Sequence, residues 1–407
     1  MNVSKDSFGP EYVLRVHDGK LGMTGYLVID NTTLGPGKGG IRMTPGVTED
    51  EVFRLARTMT WKNALAGIPF GGAKAGLVIP EGTPPELKKQ FVQSFARALK
   101  PFIPGKYIAG PDVNSGEKEM QWFSEAVGMW EAATGKPANF CAEDIREGKK
   151  PRKATGSPRG RCGLPHELGS TGFGVAHAAK VAAEVMGLQL RGATVAIEGF
   201  GNVGTFSFKF LKKMGAKIVA VSDSRGTAYL ESGLDFAMLH KLKAEKKSVA
   251  DYAGALQRGS PQPSSGQAGQ AKKLSKEELF GLPVDILIPA AVTDVINDSN
   301  KNSIKAKLIV EGANICMRES TENELFKRGM VIVPDFVANA GGVISSYAEY
   351  RGMSPEEMFK LVEERITHAT REVMEKSIHE KRNPREMGME IARKKIEEGV
   401  KKKEQTF

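Results

Sequence analysis

Cysteine is scarce: the 407-residue chain has three, Cys141, Cys162 and Cys316, with no C-x-x-C spacing among them. An odd number argues against a disulfide framework and the spacing against a zinc ribbon, so a reducing cytoplasm is the expected compartment. The six histidines (His17, His166, His177, His240, His368 and His379) fall at no metal-ligand spacing, and no metal is expected. No apolar run approaches the ~18–20 residues of a membrane span. The opening MNVSKDSFGPEY also lacks the apolar stretch of a signal peptide, so no membrane partner is expected. Repeats are lacking too. What remains, 40% hydrophobic and 26% charged residues, is the composition of a folded globular chain and excludes disorder, collagen and coiled coil. At ~100–200 residues per domain, the length suits two or three domains.

The net charge of +10 raises the question of a nucleic-acid partner. Seven Lys/Arg lie between Arg146 and Arg161 against Glu147 alone, so this one stretch carries +6 of the excess. It is punctuated by Gly and Pro, which marks a surface loop, and it lacks the interleaved aromatics of a nucleic-acid binder. No nucleic acid is expected. A second stretch of low complexity, QRGSPQPSSGQAGQAKK at 257–273, also reads as a surface loop.

The first third alternates helical and strand patterns. Thr48-x-x-Glu51 predicts a capping box, followed by Val52, Leu55, Ala56 and Met59 at helical spacing. Thr83-x-x-Glu86, with Pro84 at the first helical position, predicts a second box and a helix carrying Leu87, Phe91 and Phe95. Between them the glycine-dense GIPFGGAKAGLVIP reads as a strand; YIAGPDVN reads as a short strand and turn, followed by a helix over 117–133. From Thr194 the runs TVAIEGF, KIVAVSD, VDILIPA, KLIVEGAN and VIVPD alternate with helical segments. Short runs apolar on both faces suit a parallel sheet covered by helices. The last ~60 residues read as helices.

Gly199-Phe200-Gly201-Asn202-Val203-Gly204 matches G-x-G-x-x-G, with a strand before it and a helix after it. Gly199 permits a tight turn, Gly201 a close approach of backbone to a pyrophosphate, and Gly204 the packing of helix on strand. The helix start offers unpaired N–H groups to phosphates. Asp223, 19 residues beyond Gly204, is placed to accept from an adenosine ribose, while Arg225 is placed for a 2′-phosphate. NAD or NADP is the expected cofactor, with the choice left open.

Three lysines sit in glycine-rich or apolar surroundings: Lys38 in GPGKGGIR, Lys62 in TMTWKNALAG and Lys74 in PFGGAKAG. A desolvated ammonium costs several kcal/mol or loses its proton, so three such lysines point to a cationic pocket for a substrate bearing carboxylates. One of them, depressed in pKa by burial and by its neighbours, becomes usable as a base. Asp112, at a strand end in AGPDVN, is a candidate proton shuttle. Lysines that merely snorkel from loops would instead be exposed.

Taken together, GPGKGGIRMTPGVT, MTWKNALAGIPFGGAKAG, GPDVN, STGFGV, IEGFGNVG, VAVSDSRG, VDILIPAA, EGAN and VPDFVANAGGVISSYAE resemble the glutamate, leucine, phenylalanine and valine dehydrogenase family, and its glutamate-specific branch in particular. The resemblance runs in the family's order from about residue 11 to 350. It implies an α/β fold of two domains. One would be an α/β substrate-binding and oligomerisation domain over 1–170, completed by helices from 343–407; the other a Rossmann-like dinucleotide-binding domain over 171–342, with a catalytic cleft separating them. It also implies a hexamer.

By the same resemblance, Lys74 activates the water that attacks an iminium, and Asp112 exchanges protons with the amino nitrogen. Lys62 holds the α-carboxylate of glutamate or 2-oxoglutarate, and Lys38 with Ser346 the γ-carboxylate. Thr171, Asn202 and Asn314 line the nicotinamide side of the cofactor. The implied reaction is reversible oxidative deamination of L-glutamate to 2-oxoglutarate and ammonia. The alternatives are a branched-chain or aromatic amino-acid dehydrogenase, against which Lys38 and Ser346 speak, and an inactive regulatory paralogue, against which Lys74 and Asp112 speak.

Two stretches depart from the family pattern. Thirty-three residues separate Pro137 from Thr171, where a short loop is usual. Ile315-Cys316-Met317-Arg318 stands where a Gly-Pro-Thr-Thr-like turn is common, and Cys316 is expected to be a buried free thiol.

Overall fold

The computed structural model describes residues 5–147, 161–259 and 270–404. The basic stretch and the Gln/Ser/Gly/Pro-rich stretch, both expected to be surface loops, fall largely outside the described residues. The chain divides into two compact units: Met1–Leu168 with Gly342–Leu361 and Met389–Phe407, and Gly169–Gly341 with Val362–Gly388.

The elements of the first part of the chain are β1 (Tyr12–Asp18), β2 (Met23–Asn31), β3 (Gly37–Thr44), α1 (Glu49–Leu65), β4 (Gly71–Val78), α2 (Pro85–Leu99), β5 (Tyr107–Gly110), α3 (Glu117–Val127) and α4 (Ala142–Glu147). The five strands form one sheet in the order β1-β2-β4-β3-β5. β2 pairs antiparallel with β1 and β4, while β3 pairs parallel with β4 and β5. One face buries Phe91, Phe95 and Leu99 of α2 with Met120 and Phe123 of α3; the other packs Val28 against Val52 and Ala56 of α1. The glycines of β4 bring α1 close: a Cβ on Gly72 would lie 2.0 Å from the Thr60 hydroxyl.

Thr48 caps α1, its hydroxyl accepting from the Glu51 N–H at 3.2 Å. The Glu51 carboxylate instead binds Arg42 at 2.6 Å. The second capping box does not form. Thr83 donates to the Pro80 carbonyl, and α2 starts one residue later than expected, at Pro85 behind Pro84. α3 stops at Gly128, whose left-handed φ of 71° ends the helix well before Ala133.

The second unit contains α5 (Ser170–Val185), β6 (Thr194–Glu198), α6 (Asn202–Lys213), β7 (Lys217–Asp223), β8 (Gly226–Tyr229), α7 (Phe236–Ala244), α8 (Tyr252–Gly259), β9 (Lys272–Leu274), β10 (Ile286–Pro289), β11 (Leu308–Val310), α9 (Glu319–Lys327), β12 (Val331–Val333) and α10 (Asp335–Ala338). Its sheet runs β12-β11-β10-β6-β7-β8-β9, parallel from β12 to β7. All five apolar runs become these parallel strands. The antiparallel extension β8–β9 was not foreseen.

The chain ends in α11 (Gly341–Arg351), α12 (Pro355–Glu380) and α13 (Pro384–Glu404). The sequence assigned all of 343–407 to the first unit, yet 362–388 packs with the second. Glu363 lies 3.7 Å from His177, Arg371 binds Glu184 at 2.9 Å, and Arg385 binds Glu311 at 2.7 Å and Asp335 at 3.1 Å as well as Glu322.

A further correction concerns cysteine. Cys141 and Cys162 are joined in a disulfide, and Cys316 is free and buried. The pairing follows from the backbone. Ala142 N–H donates to Arg161 O at 2.9 Å and Gly163 N–H to Phe140 O at 3.1 Å, drawing the two Cα atoms to 4.0 Å. The disulfide thus joins the two described flanks of the long Pro137–Thr171 segment. Among the described residues no helix is long and apolar enough to cross a membrane.

Candidate active site

Within the first unit, Lys38 lies on β3, Lys62 in the last turn of α1, Lys74 on β4 opposite Val28, Asp112 just past β5, and Ser346 on α11. All three lysines are buried, at 2, 6 and 7% exposure, so they do not snorkel. The sheet accounts for the burial of Lys38, which stands on β3 between β4 and β5, in register with Gly72 and Ile108. The Lys38 ammonium donates to the Ala109 carbonyl at 2.8 Å. Desolvation pulls its pKa down to about 7, opposed by the charge of Glu349 and reinforced by those of Lys136 and Lys74.

The Lys74 ammonium forms an ion pair with the Asp112 carboxylate. Burial raises the Asp112 pKa, but Lys74 and Arg42 outweigh it and hold the carboxyl below its ordinary value. Arg42, 3.4 Å from Asp112 and in turn bound by Glu51, escaped the sequence reading. Its only sequence signal is its place four residues after Lys38, on the same face of β3. Ser115 fixes the turn, its hydroxyl accepting from the Asp112 N–H at 2.8 Å and donating to Ile41 O at 2.6 Å. Ser346 is half-buried. Such an arrangement offers cationic groups for two carboxylates and a carboxylate–ammonium pair for proton exchange.

Within the second unit, the glycine loop has the geometry its spacing requires. Gly199 has φ +94°, and a Cβ on Gly204 would strike the Gly199 carbonyl at 1.9 Å, so neither position admits a side chain without strain. Gly201 faces open space and begins α6 with no side-chain cap, leaving first-turn N–H groups for phosphate oxygens. Val203 and Asn202 form that first turn. A Cβ on Gly172 would come within 2.6 Å of the Val203 carbonyl, so the start of α5, with Thr171, lies against it. Asn314 receives the Asn339 amide at 3.0 Å, and Ile315 beside it has φ +51°. These residues fit a dinucleotide.

Asp223 is already engaged. One oxygen accepts from Ser248 Oγ (2.7 Å) and Arg225 N–H (2.9 Å), the other from Val249 N–H (3.0 Å), with Lys243 at 3.6 Å. A ribose hydroxyl would share the carboxylate with these donors, while the exposed Arg225 donates through its guanidinium to Lys246 O at 3.1 Å.

Residues 10–129 match the family model "Glu/Leu/Phe/Val dehydrogenase, dimerisation domain", and residues 163–403 match "Glutamate/Leucine/Phenylalanine/Valine dehydrogenase". The glutamate dehydrogenase of Aeropyrum pernix is 39% identical over 352 residues, which cover 84% of this chain and 77% of its own. The NADP-specific glutamate dehydrogenase of Saccharolobus shibatae is 37% identical over 378 residues, covering 88% and 81%. Among solved structures, the hetero-hexameric glutamate dehydrogenase from Thermus thermophilus in its Leu-bound form superposes with a TM-score of 0.76 at 27% identity, over 96% of this chain and 89% of that one. With two matching domain models spanning most of its length, the chain belongs to the Glu/Leu/Phe/Val dehydrogenase family.

Proposed function

We propose that the chain catalyses reversible NAD(P)-dependent oxidative deamination of L-glutamate to 2-oxoglutarate and ammonia. The observation that carries this reading is the ion pair between buried Lys74 and half-buried Asp112, with Lys38 and Lys62 buried in the same unit. Lys62 holds the α-carboxylate, and Lys38 with Ser346 holds the γ-carboxylate, so the substrate is fixed at both ends. Fixing both ends orients Cα and lowers the barrier by several kcal/mol. Asp112 exchanges protons with the amino nitrogen, and Lys74 takes the proton from the water that attacks the iminium carbon. NAD or NADP, when bound, supplies the hydride acceptor. The first turn of α6 at Gly201, Asn202 and Val203 would hold its phosphates, with Gly199 and Gly204 shaping the turn; Thr171 and Asn314 would face the nicotinamide, and Asp223 the ribose.

Lys38 excludes apolar side chains. An apolar side chain would leave the desolvated ammonium with only the Ala109 carbonyl as a direct partner, which costs several kcal/mol relative to meeting a carboxylate. Initial rates with 2-oxoglutarate and ammonia, against 2-oxoisocaproate and pyruvate, using NADH and NADPH separately, test the assignment. Higher kcat/KM for the leucine-derived oxoacid than for 2-oxoglutarate overturns it. Assembly as a homo-hexamer in the cytoplasm accompanies this reading, and light scattering after gel filtration checks the oligomer.

A further inference from the structure

The scheme above makes no use of a second buried ion pair in the first unit. Lys136 (1% exposed) binds Glu349 (0% exposed) at 2.7 Å, and its ammonium sits 3.8 Å above the centre of the Trp130 ring and donates to Ala133 O. The other oxygen of Glu349 accepts from Gly135 N–H at 2.7 Å and Leu164 N–H at 3.0 Å. A buried pair of this kind contributes little net stability over an apolar pair of equal volume, so its presence calls for another role.

That role is visible one hydrogen bond further on. Thr134 N–H donates at 3.0 Å to Ala109 O, the same carbonyl that receives the Lys38 ammonium at 2.8 Å. A Cβ on Gly110 would lie 2.4 Å from Lys38 Nζ and 3.9 Å from the Thr134 hydroxyl. The turn gripped by Glu349 is therefore a wall of the Lys38 pocket. Glu349 also lies three residues beyond Ser346 on α11, one helical turn apart on one face.

We propose that Glu349 is a positioning residue for Lys38, gripping the 133–136 turn that seats the ammonium and supplying the negative charge that faces it, with Lys136 as the balancing cation. This rests on the reading of Lys38 as the group that meets the γ-carboxylate. The charges facing Lys38 are Glu349, Lys136 and Lys74, with Asp112 paired to Lys74. Behind Lys136 stand Glu131 and Arg161, bound to each other at 3.0 Å, and Glu349 also faces Glu117, which pairs with Glu167. The Tyr107 phenol of β5 donates to Gly39 O, on the strand of Lys38.

Removing opposite members of the pair must move the titration of Lys38 in opposite directions. In E349Q the lysine loses its facing anion, so the alkaline fall of kcat/KM for L-glutamate shifts to lower pH, with KM up about tenfold and kcat changed less. In K136Q the repelling cation is gone, and the same limb shifts to higher pH. A merely structural role does not predict opposite signs. If either single variant fails to fold, K136M/E349M, which buries no lone charge, is expected to raise KM for glutamate about thirtyfold with kcat within about threefold.

Limbs that stay in place or move together in the two single variants overturn the proposal, as does an unchanged KM in the double variant. Wild-type enzyme that does not turn over glutamate overturns the parent reading, and this one with it. Turnover by the wild type with unmoved variants overturns this one alone.

Discussion

Lys38 is held in a state that solution pH can change. Its folded pKa, about 7, lies below the ordinary 10.5, so between those values the unfolded chain binds more protons than the folded one. Stability must then rise with pH across that window. Relative to K38M, the wild-type protein is expected to gain about 2–3 kcal/mol between pH 7.5 and 9.5, measured by urea unfolding at each pH. A flat difference would mean that the ammonium is not desolvated.

Ile315 is a second residue under tension. It is β-branched and 41% exposed, yet has φ +51°, a left-handed conformation that favours glycine. I315G should stabilise the protein by about 1 kcal/mol, read as a higher urea midpoint at unchanged slope. At this scale the lysines were legible, because charge in apolar sequence is conspicuous. Arg42, Lys136 and Glu349 were not, because their meaning comes from partners 70 to 214 positions away.

Elements were read well where a pattern repeats and poorly where a single contact decides. The five parallel strands announced themselves as apolar runs. β9, only three residues long (Lys272–Leu274), has no run to see, and it is recruited by pairing to β8. The Thr83 box failed because the hydroxyl found a nearer carbonyl at Pro80. The Cys141–Cys162 pairing was hidden because the neck of a long segment closes through backbone hydrogen bonds that leave no compositional trace. It carries a direct check. Denatured without reductant, the chain should expose one thiol to a chromogenic reagent, that of Cys316, and three after reduction. Three thiols before reduction would show the pair open in solution.

At the scale of the molecule, the two units do not correspond to two continuous stretches of chain. Gly342–Leu361 and Met389–Phe407 lie with the first unit, while Val362–Gly388 lies with the second. Sequence could not show this, since α12 and α13 are charge-laced and their partners stand far away in the chain: Arg371 meets Glu184, and Arg385 reaches three acids 50 to 74 positions before it. That guanidinium serves Glu311, Glu322 and Asp335, all buried. R385M should therefore destabilise the protein by about 3–5 kcal/mol near neutral pH, with the deficit shrinking in acid as the carboxyls take up protons. Denaturant titrations at pH 5 and 7.5 check both the size and the sign.

The three acids that Arg385 serves stand 50 to 74 positions before it, so the parallel sheet gathers them before their shared counterion is in place. Seating of that one guanidinium is therefore a closing step in the assembly of the second unit, and until it happens the acids must stay hydrated or protonated.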